Sequence, residues 1–417
     1  MDRFVIEGPC SLNGEVSVSG AKNAVLPIIA STLLASGECV IENVPDLQDV
    51  RTMIKLLEML GAKTVFEDGV LRIDSSGADG TEAPYDLVKT MRASIYVLGP
   101  LLASRGKARV SLPGGCAWGP RPVDLHLMAM EQLGANINLK HGYIHAACTR
   151  LEGAEIVMPL SSVGATANAL MAASLAGGET TIKNAAMEPE IGELAKALSA
   201  GGIEIEGIGL STISIKGARE LRPFTHTVIP DRIEAGTLIA AAVGARGKIV
   251  IKRCDPKHLD SMINVFRSCG AIIDTADDNI SIERPGSLKP AHVVTGEYPK
   301  FPTDMQAQVM AVLCAAEGTS TVKDIIYPDR FTHVPELRRL GADIRLDGNC
   351  AVITGKKRLD GAQVMATDIR ASSALVIGGL MAEGTTEISR VYHIDRGYEK
   401  LERKLLLLGA KITRVNG

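Results

Sequence analysis

Residues 58–63 read EMLGAK, the end of an apolar run closed by Gly61. Upstream, Val50, Met53, Ile54, Leu57 and Leu60 recur at helical spacing, so one face of this helix is apolar. The phrase returns as EQLGANI, LSAGGIEI, RSCGAII, RRLGADI and LLLGAKI, with Gly134, Gly201, Gly270, Gly341 and Gly409 in the place of Gly61 and spacings of 67–73 residues. Each glycine is expected to supply the left-handed residue that ends an α-helix. A second phrase, a glycine turn opening a strand, runs SGECVIEN, RGKARVSL, GGETTIKN, RGKIVIKR, EGTSTVKD and EGTTEISR. Its glycines are Gly37, Gly106, Gly178, Gly247, Gly318 and Gly384, spaced by 66–72 residues. Two independent markers therefore report one period and six units.

Each unit reads as two helices and three or four strands. After the first phrase the chain alternates and turns back at Asp68-Gly69 or Asp347-Gly348, which are hairpin turns. A second helix precedes each glycine turn, as in Ala21–Ala35 and Ala371–Ala382. It is Ala-rich and apolar nearly all round, so it belongs inside the protein. After Gly409 only KITRV remains, too short for a hairpin, whereas the chain opens with two strand-like runs, FVIEG and GEVSVSG. Both N-terminal strands are expected to complete the last unit. The fold class is then α/β (α+β): two similar domains, each of three βαβαββ-type repeats around buried helices. The first domain spans 22–229 and the second 1–21 plus 230–417, with a double hinge near 20–22 and 229–231.

Composition narrows the function. The chain has 417 residues, 46% of them apolar, so it is not a disordered chain. With 45 basic against 48 acidic residues and only 3% aromatics, it has neither the charge nor the stacking surface of a nucleic-acid binder. Its longest apolar stretches are about half a bilayer span, and MDRFVIEGPC does not read as a signal peptide. Eight scattered cysteines with no CxxC pair favour reduced thiols and a cytoplasmic location, and metal-ligand spacing is absent.

Chemistry concentrates at the start of each buried helix. Counting back 14 or 15 residues from the six turn glycines gives Lys22, Arg92, Gly164, Arg232, Asp304 and Arg370. Four are basic, although helix N-termini disfavour cations. One such residue is ordinarily a solvated surface side chain. Their recurrence at equivalent positions points instead to an anion, phosphate and carboxylate together, in a cleft lined by helix starts. Asp304, Asp231 and Asp368 each have a second reading as helix caps. Arg396, in HIDRGYE, is unremarkable alone. The loop 112–122, LPGGCAWGPRP, cannot be helix or central strand. It places Cys116 and the single Trp in a turn-rich segment, beside Arg121, which could lower the thiol pKa.

The phrases SGAKNAVLP, PYDLVKTMRAS, LPGGCAWGPRPVDLH, PDRIEAGT, FPTDMQAQ, RFTHVPELRRLGA, VMATDIRAS and YHIDRGYE resemble the UDP-N-acetylglucosamine 1-carboxyvinyltransferase family of enolpyruvyl transferases. The likeness covers essentially the whole chain. It implies transfer of enolpyruvyl from phosphoenolpyruvate to the 3-hydroxyl of UDP-N-acetylglucosamine, with release of phosphate, as the first committed step toward peptidoglycan. It implies small-molecule substrates and no metal or redox cofactor. By match of motif, Lys22 and Arg121 would hold the phosphate, Arg370 and Arg396 would surround the carboxylate, and Arg92 would border this site. Cys116 would act in proton transfer to the methylene carbon and be the residue alkylated by fosfomycin. Asp304 would take the sugar hydroxyl proton, and Asn23 would contact the sugar. Arg121, Pro122, Val123, Asp124 and Leu125 would line the uridine site, Ser162, Val163 and Gly164 would lie near the diphosphate, and Ile326 near the sugar.

The sequence departs from the family pattern at Leu160, where many members carry Lys, which removes one expected diphosphate contact. The lid loop departs at Ala117, Trp118 and Pro120. Two other readings share part of this evidence. A shikimate 3-phosphate enolpyruvyl transferase would have the same repeats and cations, but the PGGC lid and SGAKN argue against it. A non-catalytic repeat protein could bind an anion, yet would not need an acid, a base and four cations at helix starts.

Overall fold

The computed structural model describes residues 2–112 and 123–417. The chain divides into two compact units, residues 2–19 with 230–417 and residues 20–112 with 123–229. Among the described residues each unit has its own hydrophobic core.

Among the described residues, six four-stranded sheets share one strand order. In one of them Thr225–Thr227 runs parallel to Glu38–Glu42, which pairs antiparallel with Val70–Asp74, which pairs antiparallel with Lys63–Glu67. The same plan recurs in Glu155–Val157, Glu179–Lys183, Thr212–Lys216 and Glu204–Glu206. A parallel pair needs a crossover, and the buried helix supplies it. The inner strand alternates: Cys39 and Ile41 are buried, Glu38 and Glu42 exposed, so one sheet face meets the helices and the other meets water. An amphipathic helix, such as Gln48–Met59 or Asp260–Ser268, packs on the outer hairpin strand of its unit.

Closure of each unit corrects one expectation. Arg3–Gly8 does complete the last sheet, between Gly384–Ser389 and Ile412–Val415. Asn13–Ser17 does not join it, but runs parallel to Lys248–Lys252 in the sheet of the repeat that follows residue 230. The crossover helix Arg232–Gly244 precedes Lys248–Lys252, so that strand accepts a parallel leader. Thr225–Thr227 plays the same part for Glu38–Glu42.

Three buried helices pack together at the centre of each unit. They are Lys22–Ser31, Leu98–Arg105 and Val163–Ala173 in one, and Arg232–Gly244, Gln306–Leu313 and Ile369–Met381 in the other. Every residue of Arg232–Gly244 is buried. Helices this close need small residues: a Cβ on Gly99 would sit 2.5 Å from the Asn168 carbonyl oxygen. This crowding accounts for an aromatic content of 3%.

The helix-ending glycines take positive φ at Gly61, Gly134, Gly270, Gly341 and Gly409. In the third repeat the residue is Gly202 (φ 95°), not Gly201, whose φ is −79°. Gly201 is glycine for a different reason, because a Cβ there would meet Leu221 Cδ1 at 2.4 Å. Among the described residues no helix is long and apolar enough to cross a membrane.

Candidate active site

The helix starts singled out in the sequence are helix starts in the structure. Lys22 is the first residue of Lys22–Ser31, Arg92 opens the 3₁₀ turn Arg92–Val97, and Gly164 is second in Val163–Ala173. Arg232 opens Arg232–Gly244, Asp304 lies in the turn Thr303–Met305, and Arg370 is second in Ile369–Met381. Lys22, Arg92 and Gly164 belong to the unit 20–229, and the other three belong to its counterpart.

In the unit 20–229 the charge of Lys22 is met from within. Its Nζ lies 2.7 Å from Asp49 Oδ2, and both side chains are nearly buried. Asp49 is in the first turn of Gln48–Met59. Asn23 follows Lys22 and is half-buried, as is Arg92. Ser162 caps Val163–Ala173 by accepting the Ala165 N–H at 3.3 Å. Asp124 opens the helix Asp124–Gln132 and is exposed, while Val123 and Leu125 flank it half-buried.

The same unit holds a histidine that the sequence reading passed over. The His126 Nδ1 and Asn168 Nδ2 atoms are 2.8 Å apart, and Asn168 Nδ2 also donates to the Ile95 carbonyl. Asn168 Oδ1 accepts the Gly99 N–H, which fixes the amide as the donor toward His126. A Cβ on Gly164 would lie 3.0 Å from His126 Nε2, so glycine at this helix start makes room for the ring. Burial lowers the imidazole pKa to about 4, so the ring is neutral at pH 7.

In the other unit Asp304 is gripped by two arginines. Arg330 Nη1 lies 2.8 Å from Asp304 Oδ1, and Arg370 Nη2 lies 2.8 Å from Oδ2. Burial alone would raise the Asp304 pKa, but the Arg370 and Arg330 charges outweigh it and hold the carboxyl well below its usual range. For Arg370 burial is likewise outweighed by Asp304, and its pKa is raised. Arg370 Nη1 also donates to the Tyr398 hydroxyl at 3.3 Å, which in turn meets Thr237 Oγ1 at 2.9 Å and Gln308 Nε2 at 3.3 Å. Arg330 Nη1 donates to Thr303 Oγ1 at 3.1 Å. Asp324 accepts from Thr303 Oγ1 and from the Ile326 N–H, which ties the Ile326 backbone to the same cluster.

The ambiguous aspartates separate cleanly. Asp231 and Asp368 are caps, accepting the N–H groups of Ile233 and Glu234 and of Arg370 and Ala371 respectively. Among the described residues Asp304 caps no helix; it lies in the first turn of Thr303–Met305, whose N-cap is Pro302. Arg232 is buried with its guanidinium 5.6 Å from the Tyr298 ring centre. Arg396 is half-buried at the end of the short helix Tyr392–Asp395. Arg330 is a site residue that the sequence reading missed. Its loop has no periodicity, and only its place in RFTHVPELRRLGA could have drawn notice. Cys116, Arg121 and Pro122 lie outside the described residues. The seven described cysteines are free. Burial raises Cys39 and Cys269 to about 11 and Cys254 and Cys314 to about 12. Among the described residues no cluster of His, Cys, Asp or Glu is placed to hold a metal ion.

Proteins that share this plan of six repeats are enolpyruvyl transferases. Residues 6–405 match the family described as EPSP synthase (3-phosphoshikimate 1-carboxyvinyltransferase), and the chain belongs to that family. Curated relatives subdivide it. The chain is 54% identical to a UDP-N-acetylglucosamine 1-carboxyvinyltransferase of Chlorobium phaeovibrioides over 99% of this chain and 98% of the relative. It is 51% identical to proteins of the same name from Geotalea uraniireducens, over the full length of both, and Myxococcus xanthus, over 99% of both. Among solved structures, the enolpyruvyl transferase NikO of Streptomyces tendae superposes with a TM-score of 0.90 at 26% identity, covering 100% of this chain and 99% of NikO. An EPSP synthase of Acinetobacter baumannii, at 18% identity with full coverage of both chains and a TM-score of 0.76, shares the fold.

Proposed function

We propose that this enzyme transfers enolpyruvyl from phosphoenolpyruvate to the 3-hydroxyl of UDP-N-acetylglucosamine, releasing phosphate, in peptidoglycan synthesis. The observation that carries the reading is identity above 50% along the whole chain with relatives named for this reaction. The residue chemistry supports it. Protonation of the methylene carbon makes a cationic centre that the sugar hydroxyl attacks, and the adduct then loses phosphate and a methyl proton. Such a sequence needs an acid, a base and fixed positive charge where phosphate and carboxylate sit.

In this reading Lys22 and Arg121 hold the phosphate, with Arg92 bordering them. Arg370 and Arg396 serve the carboxylate. Cys116 acts at the methylene carbon and Asp304 takes the hydroxyl proton. Asn23 and Ile326 contact the sugar. Arg121, Pro122, Val123, Asp124 and Leu125 take the uridine, and Ser162, Val163 and Gly164 take the diphosphate at a helix N-terminus. Reduced cysteines along the chain suit a cytoplasmic enzyme. Incubation with both substrates followed by mass spectrometry tests the reading. The acceptor should gain one enolpyruvyl group, and an unchanged acceptor would refute the assignment.

A further inference from the structure

One carboxyl group in the unit that contains residues 230–417 departs from the plan its neighbours share. The residue six places after the turn glycine ends the inner strand of each sheet, and in four repeats it is Asn43, Asn184, Arg253 or Arg390, with φ of 56°, 54°, 55° and 59°. Where it is asparagine, its Nδ2 donates to the backbone carbonyl just after the leading strand, that of Val228 or Met158. In the fifth repeat the residue is Asp324, which does not take the left-handed conformation. The position equivalent to Val228 and Met158 is Thr295, and the bond between the two places is reversed: Thr295 Oγ1 donates to Asp324 Oδ1 at 2.8 Å. The other repeats have no acid at this position, so the scaffold by itself does not require one.

Asp324 is fully buried. Its Oδ1 also accepts the Ile326 N–H at 2.9 Å and the Tyr327 N–H at 2.8 Å, and its Oδ2 accepts from Thr303 Oγ1 at 2.7 Å. Thr295 Oγ1 in turn accepts the Ile325 N–H at 3.1 Å, so three successive amides of this loop are held. Thr303 is the first residue of the turn Thr303–Met305, which carries Asp304. One oxygen therefore fixes the Ile326 loop and the other fixes the Asp304 turn. A buried acid is tolerated only when such bonds satisfy it, so the spacing of the two segments is rigidly set.

We infer that Asp324 is a positioning residue, which holds the sugar-contacting loop at Ile326 in register with the turn that carries Asp304. The inference rests on the reading of UDP-N-acetylglucosamine as the acceptor, with its sugar at Ile326 and its hydroxyl at Asp304. Fully buried, Asp324 acts through these two segments rather than on the substrate. Its side chain is short, and both oxygens are committed, so neither segment shifts without the other. A reacting hydroxyl misplaced by about 1 Å loses on the order of 10²-fold in rate, which is the advantage such a spacer protects.

The test is steady-state kinetics of Asp324→Asn toward each substrate, with the melting temperature measured alongside. The amide oxygen can still accept from the loop, but Nδ2 cannot accept from Thr303. Turnover of UDP-N-acetylglucosamine should fall at least about tenfold in kcat, while the KM for phosphoenolpyruvate stays within about twofold of the parent. A lower melting temperature with parental kcat would make Asp324 merely structural and overturn the inference, as would equal rises in both KM values. Thr295→Val releases the Ile325 N–H and leaves the Thr303 bond in place. It should raise the KM for UDP-N-acetylglucosamine about threefold or more with kcat little changed, and an unchanged KM overturns the inference. That variant decides alone should Asp324→Asn fail to fold. A parent enzyme inactive with UDP-N-acetylglucosamine would overturn the substrate reading as well; an active parent with kinetically silent variants overturns the positioning role only.

Discussion

Lys22 and Asp49 form a 2.7 Å ion pair at the start of a buried helix, with side chains only 11% and 4% exposed. A cation at a helix N-terminus opposes the macrodipole, and Asp49 offsets it from inside the protein. Arg370 and Asp304 repeat the arrangement in the other unit at 2.8 Å. Cations recurring at helix starts are therefore compensated partly by the chain's own carboxylates.

Removing Asp49 should expose this compensation. Asp49→Asn removes the carboxylate charge from a nearly buried ion pair with Lys22, and a broken buried pair costs about 3–5 kcal/mol. Denaturant unfolding should show a loss of that order. If Lys22 receives the substrate phosphate, added phosphoenolpyruvate should raise the melting temperature more in the variant than in the parent. An equal or smaller rise would separate Lys22 from the anion.

Acid should weaken the fold well before the carboxylates protonate. Burial lowers both His126 and His333 to about 4 from an ordinary value near 6.5. The unfolded chain binds these protons first, so their stability contribution is full above about pH 6.5 and is lost as pH falls toward 4. The loss is roughly 3 kcal/mol per histidine across that window. Asp304 acts lower: its depressed pKa gives stability present above about pH 4 and lost only as pH falls further. Melting temperatures should hold from pH 7.5 to about 6.5 and then fall toward pH 4.5, and His126→Gln with His333→Gln should flatten that fall. A flat parent profile would contradict the buried neutral rings.

Leu160 is 67% exposed just before the Ser162 cap. An exposed leucine contributes little to the core, so Leu160→Lys should leave stability within about 0.5 kcal/mol of the parent. Supplying a cation near the helix start assigned to the diphosphate should lower the KM for UDP-N-acetylglucosamine several-fold with kcat little changed. An unchanged or raised KM would show that this position contributes nothing to the nucleotide.

Fosfomycin should mark one thiol. Four of the seven described cysteines are buried with raised pKa values, which makes them poor nucleophiles. Cys116→Ser should therefore abolish labelling, read by intact mass, and remove most turnover. Labelling that persists would move the reactive thiol to another cysteine, with the half-buried Cys10, Cys148 and Cys350 as the first candidates.

The period was legible because left-handed helix ends demand glycine, and Gly61, Gly134, Gly270, Gly341 and Gly409 repeat that demand visibly. The buried helices were legible because Ala-rich stretches polar on no face have nowhere else to go. Adjacent glycines hid the third cap, since Gly201 is required by the Leu221 contact and Gly202 by its backbone. Asn13–Ser17 was misplaced because strand pattern alone does not name a partner 235 residues away. In the site, the helix starts could be counted out, but their partners could not. Asp49 looks like an ordinary first-turn acid, Arg330 like a loop residue, and His126 like a core histidine, and each gains meaning only from a residue distant in sequence.

The most direct test of the central claim is release of inorganic phosphate from phosphoenolpyruvate with each acceptor in turn. UDP-N-acetylglucosamine should support continuous turnover that fosfomycin stops, and shikimate 3-phosphate should support none. Turnover with shikimate 3-phosphate alone, or with neither acceptor, would contradict the account.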